Sequence, residues 1–200
     1  MKLQKIAIVT PFLLALLSGP TTADSVTKES GGSIHTDLGY NIVLNKESSL
    51  TREWITVHDN SIPVAISGTA GVKTIYEPGR NYSSGSYKYT TEFSITPSEA
   101  ISAFEVRFLT FDIWGDHVRN LSMTEISDMP SGVAKKIDGK WNVYSENEVS
   151  EYYASIAYIA QVRTVSGQVI KADPKVVLEE ARKFTKKFTE GDLEPVPEKN

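Results

Sequence analysis

Cysteine is absent from all 200 residues. Disulfide staples, a thiolate nucleophile, a lipid-modified cysteine anchor and a thiolate-ligated metal centre are therefore excluded. Histidine is scarce: His35, His58 and His117 lie far apart, and none stands at the helical spacing of a metal-ligand pair. Positive charge is also short, with 21 basic against 25 acidic residues and a net charge of −4. That balance argues against nucleic acid as the main partner, because a phosphate backbone calls for clustered Lys and Arg. It gives no reason to expect a membrane surface either. Glycine motifs of known chemistry are missing as well. No Gly-x-Ser-x-Gly elbow is present, and Gly68-Thr69-Ala70-Gly71 lacks the length and the lysine of a phosphate-cradling loop. No cofactor is expected. Carboxylate pairs such as Glu146 and Glu148 do not by themselves imply acid–base chemistry.

Long hydrophobic runs are missing too. The longest, Ile6 to Leu17, is interrupted at Thr10 and Pro11 and has 12 residues, short of the roughly 20 that span a bilayer. Lys2 and Lys5 precede it, Ser18-Gly19-Pro20 ends it, and Thr21-Thr22-Ala23 offers small residues before Asp24. This is the layout of an export signal, residues 1–23, cleaved after Ala23. The expected destination is the periplasm or the exterior, with no transmembrane segment in the mature chain. The remaining length suits one domain with a sizeable core.

Residues 24–38 are polar, contain Gly31-Gly32, and read as a flexible leader. The period then becomes two. Tyr87, Tyr89, Thr91, Phe93 and Ile95 alternate with Lys88, Thr90, Glu92 and Ser94, as in a half-buried strand ending at Pro97. From Ala103 to Ile113 both faces are apolar: Phe104, Val106 and Phe108 on one, Leu109, Phe111 and Ile113 on the other. A central strand covered on both sides has that pattern. Tyr153 to Val165 places Ile156, Tyr158, Ala160 and Val162 on one face and meets Val169-Ile170 across Ser166-Gly167, a hairpin signal. Shorter candidates are 40–44, 54–58, 63–67, 72–76 and 117–122. Such a series predicts a mainly β sandwich over residues 39–172, although periodicity alone does not separate it from a barrel.

A C-terminal helix is expected over 173–191. Asp173 caps it, Pro174 takes the first position, Val177, Ala181, Phe184 and Phe188 form one stripe, and Gly191 stops it. Burial of the two phenylalanines should dock it on the sandwich. Arg182, Lys183, Lys186 and Lys187 crowd its second half, which suits either the negative end of the helix dipole or an anionic partner. Residues 192–200 read as a disordered tail.

Two constellations are candidate sites. Asp112, Trp114, Asp116 and His117 surround Gly115 in a turn between strands, forming a binding tip or a weak cation site. The alternative is ordinary turn chemistry with Trp114 capping the core. Tyr76, Tyr82, Tyr87 and Tyr89 form an aromatic group able to stack a sugar or peptide, or simply to pack.

The stretch ISAFEVRFLTFDIWGDHV, residues 101–118, resembles exported bacterial immunoglobulin-like domains of the FxLYD type, and YYASIAYIAQVRTVSGQV, residues 152–169, resembles the strand pair that closes them. Trp114 and the C-terminal helix depart from that pattern. The resemblance implies an immunoglobulin-like sandwich and a non-catalytic role at the envelope, and it carries over no catalytic residue. The function expected is binding of a protein or envelope component. Alternatives are a hydrolase using His117 and Asp112, and an assembly subunit or chaperone offering a sheet edge.

Overall fold

The computed structural model describes residues 23–29, 32–35, 41–44, 52–79, 85–143, 148–149 and 151–195. The export signal, apart from Ala23, and Tyr82 lie outside them. The strands are β1 (Ala23–Glu29), β2 (Gly32–His35), β3 (Asn41–Leu44), β4 (Arg52–Val57), β5 (Val64–Ser67), β6 (Lys73–Glu77), β7 (Ser86–Pro97), β8 (Ile101–Asp112), β9 (His117–Met129), β10 (Lys135–Asn142), β11 (Tyr152–Thr164) and β12 (Val169–Lys171). One helix, α1 (Pro174–Phe184), and a 3-10 turn, Glu190–Leu193, follow.

Two sheets carry the fold. In the first the order is β1-β4-β11-β8-β9, with β12 also beside β11; in the second β10 lies on one side of β7 and β5 and β6 on the other. The hairpin β2-β3 pairs by itself. β8 and β9 form a hairpin, β10 crosses to the second sheet to pair with β7, and β11 returns to pair with β8 in the first. The protein is a mainly β sandwich with a C-terminal helix.

The alternation in β7 faces inward as the sequence predicts: Tyr89, Thr91, Phe93 and Ile95 are buried. They meet Phe104, Val106 and Phe108 of β8 in the core between the sheets. Leu109 and Phe111 point to the opposite face, where Ile55, Ile156, Tyr158, Val177, Ala181 and Phe188 form a second core. The double-sided apolarity of β8 thus has a direct cause. The sandwich covers one face, and α1 with the chain after it covers the other.

Several expectations are corrected. The leader carries β1, which pairs antiparallel with β4, and β2; its polar sequence is that of an edge strand, which needs no apolar face. β10 was not legible in KKIDGKWN, an edge strand whose Lys136 and Lys140 face out while Ile137 is buried. β9 runs on past residue 122 to Met129. In β11 the register shifts between Ile159 and Gln161. One extra residue reverses the faces, so Val162 joins Ala157 and Ile159 between the sheets, while Ile156, Tyr158 and Ala160 stay under α1.

The helix also ends early. Thr185 is extended at φ −136°, and its N–H donates to Ala181 O at 3.1 Å. Phe188 N donates to Thr185 O at 3.2 Å, and Arg182 Nε donates to Phe188 O at 3.1 Å. The first is the last i→i−4 bond of the helix; the other two lie beyond it, where Phe188 turns inward to Phe111 and His117. The expected tail is anchored as far as residue 194. Leu193 is buried, Arg107 Nη1 donates to Leu193 O at 3.0 Å, and Asn120 Nδ2 donates to Asp192 O at 2.6 Å and Glu194 O at 2.8 Å. Those acceptors are backbone carbonyls, which every sequence offers, so composition does not reveal them.

Candidate functional site

The turn between β8 and β9 is built around Asp112. Its Oδ1 accepts the Trp114 and Asp116 N–H groups, each at 2.9 Å. Asp112 N donates to Asp116 O at 3.0 Å, and Gly115 N donates to Asp112 O at 3.2 Å. Gly115 has φ +85°, and a Cβ there would lie 2.8 Å from Phe184 O, so glycine is needed both for the turn and for the close approach of α1. The expected turn chemistry is present. Trp114, however, does not cap the core: it is 72% exposed.

His117 turns away from that tip. Its Nε2 lies 2.7 Å from Asn120 Oδ1, and its ring packs on Phe111 and edge-on against Phe188. Asp112 and His117 share the hairpin, but their polar contacts go elsewhere. Among the described residues no group of three or more His, Asp or Glu side chains is placed to hold a metal ion.

The tyrosines divide. Tyr89 is fully buried, donates to Glu148 O at 2.7 Å and packs on Tyr152. Burial, with Glu148 nearby, pushes its hydroxyl well above the ordinary tyrosine range. Tyr76 pairs with Tyr87 across β6 and β7, ring centroids 5.0 Å apart at 54°, and Tyr76 is 56% exposed. Because Ser86 lies opposite Glu77, this pair sits where β7 begins, and the β8–β9 turn is at the same end of the sandwich. The chain end of α1 reaches it too, since Gly115 abuts Phe184. The fold therefore gathers Trp114, Tyr76 and Arg182–Lys187 at one end. Sequence spacing could not show this.

Sequence reading also missed Arg107. Its Nε donates to Glu105 Oε1 at 2.6 Å, its Nη1 reaches Glu194 Oε2 at 3.2 Å, and Gln161 Nε2 donates to Glu105 Oε2 at 2.6 Å. Burial alone would lower the guanidinium's proton affinity; the bonds to Glu105 and Glu194 more than offset this and raise it. With Tyr158, Gln161, Lys171, Glu190 and Glu194, Arg107 lines a cleft of about 270 Å³ between β11, the start of α1 and the 3-10 turn. The Arg107 and Glu105 charges satisfy each other, and the network ties the C-terminal segment to β8.

Burial pushes the Tyr158 hydroxyl up to about 12, against the opposing influence of Arg107. An unfolded tyrosine ionises near 10. The folded state holds the proton more tightly, so this contribution to stability is complete below pH 10 and is lost as the pH rises towards 12. Spectrophotometric titration should show Tyr158 and Tyr89 ionising after the exposed tyrosines, with unfolding in urea becoming easier over that interval. Ionisation of all tyrosines together near pH 10 would contradict the packing.

The opposite end exposes Ile126, Val165 and Val169. Ala103 and Arg163 stand between Ile126 and Val169 in the cross-strand row, so these are separate aliphatic side chains of the kind most surfaces carry.

No family model and no curated protein matches the chain. Among solved structures it is similar to a hypothetical protein from Peptoclostridium difficile 630, with a TM-score of 0.41 and 11% identity over 61% of this chain and 92% of that one. A likeness that low carries no functional argument. Among the described residues no helix is long and apolar enough to cross a membrane.

Proposed function

We propose that this chain is an exported, non-catalytic immunoglobulin-like domain that binds a protein or other envelope component through its β8–β9 end. The observation that carries the reading is Trp114: a large indole left 72% exposed on a turn braced by two hydrogen bonds to Asp112. Tryptophan is among the residues that most often anchor interfaces, and this one is held out on a braced turn. The polar groups considered for hydrolysis have structural work, Asp112 in the turn and His117 beneath Phe188. The outer edge of β9 is a poor place for strand addition. Trp141 Nε1 donates to Ser122 O at 3.1 Å, and Lys135 Nζ reaches Ser127 Oγ at 2.9 Å, so side chains from β10 lie along it.

Trp114→Ala should leave the melting temperature within about a degree of wild type, since exposed substitutions rarely change stability by more than about 0.5 kcal/mol. Recovery of the protein with the cell-envelope fraction should fall. Unchanged recovery would contradict the proposal.

A further inference from the structure

We propose that the cleft beside Arg107 binds a small zwitterion, an aliphatic amino acid or a dipeptide of that kind. The ligand's carboxylate is taken by the Tyr158 hydroxyl and Lys171, its ammonium by Glu190 and Gln161 Oε1, and its side chain by an apolar wall. The cleft lies midway along β8 and β11, so this inference goes beyond the reading of the β8–β9 end and does not depend on it.

The first support is a buried hydroxyl whose proton has no acceptor. Tyr158 is only 4% exposed, and it lines the cleft. Its phenol oxygen takes a hydrogen bond from the Arg107 guanidinium, a group that can only donate. Burial keeps the phenol protonated. Among the described residues nothing accepts that proton, so it is left for an occupant of the cleft. Unpaired buried polar groups are uncommon, because leaving them unpaired is costly. Gln161 also lines the cleft. Its Nε2 is committed to Glu105 Oε2 at 2.6 Å, and among the described residues Oε1 is left without a donor.

The second support is the pattern of charge. Lys171 and Glu190 line the same cleft, yet they pair neither with each other nor, among the described residues, with any other charge. Arg107 is already met by Glu105 and Glu194, so its charge is not offered to a ligand. The lining as a whole sets Arg107 and Lys171 against Glu190 and Glu194, and Glu105 behind Arg107 adds one negative charge. A balance within one charge of neutral disfavours a multiply charged ligand of either sign. A molecule with one charge of each sign satisfies Lys171 and Glu190 together. Size and wall narrow the class. The cleft holds about 270 Å³, and Ala160, Ala172, Pro174 and Leu193 give it an apolar side. That volume is just under the usual range for drug-sized ligands, which suits one or two small residues and not a longer peptide.

The test is isothermal titration calorimetry of the full mature chain with L-valine, L-leucine and the dipeptide Ala-Val. Isocaproate and isoamylamine serve as the leucine analogues that lack the ammonium and the carboxylate. At least one zwitterion is expected to bind with a Kd of about 1 mM or tighter, and each single-charge analogue about tenfold more weakly or worse. Tyr158→Phe should weaken binding about tenfold, the usual result of losing a hydrogen bond to a charged group. Lys171→Met and Glu190→Gln should each weaken it about two- to fivefold, as for exposed ion pairs. Both change exposed side chains and should melt like wild type. In a parallel nuclear magnetic resonance titration the amides of Tyr158, Gln161 and Lys171 should shift, while that of Trp114 stays in place. No saturable binding of any of the three zwitterions would overturn the proposal. So would equal binding of isocaproate or isoamylamine, shifts confined to another surface, or indifference to Tyr158→Phe and Lys171→Met.

Discussion

Phe188→Ala is expected to destabilise the protein by about 3–5 kcal/mol, the usual range for removing a buried phenylalanine. Phe188 lies outside any helix and is only 2% exposed. Its ring meets Phe111 at 5.9 Å and the edge of His117 at 4.9 Å between centroids, and Phe111 in turn stacks on Phe184 at 4.9 Å. Truncation leaves a hole bounded by β8, β9 and α1, with no neighbouring chain free to fill it. The loss would be a large share of the 5–15 kcal/mol that ordinarily separates folded from unfolded domains. Urea unfolding followed by circular dichroism measures it. A change below about 1 kcal/mol, well under that range, would mean that residues 185–193 are not seated on the sheet.

Arg107→Met should cost a similar amount, about 3–5 kcal/mol, for a different reason. The Arg107 and Glu105 side chains are 13% and 10% exposed, so removing the guanidinium strands a carboxylate in the sheet face. It also frees Leu193 O and Glu194, loosening the C-terminal segment. Glu105→Gln introduced together with Arg107→Met should recover much of the loss, because the stranded charge is gone. The same measurement decides it. Equal destabilisation of the single and double variants would place the cost in lost packing, and a neutral single variant would contradict the buried pair.

The elements legible in the sequence were those whose pattern is repeated along a long strand. β7 has a strict alternation, β8 is apolar on both faces, and β11 joins β12 through Gly167 at φ +92°. The harder parts depend on single residues or on backbone. The register shift at Ile159/Gln161 moves Val162 to the other face without any change in composition. β10 presents lysines because it is an edge, and edges resemble loops. At the candidate site the sequence marked Asp112, Trp114, Asp116 and His117, but their neighbourhood in the chain concealed their separation in space. His117 lies against Phe188, 71 positions away, whereas Trp114 faces outward. The tyrosines divided for the same reason, Tyr89 entering the core and Tyr76 remaining at the surface.

The claim that the β8–β9 end is the binding surface is most directly tested by a photoreactive side chain in place of Trp114, activated in intact cells. Glu99, exposed in the turn at the opposite end of β8, serves as the control position. Cross-links to an envelope lipid, polymer or protein should form from position 114 and not from position 99. No adduct at position 114, or the same adducts from both positions, would contradict the assignment.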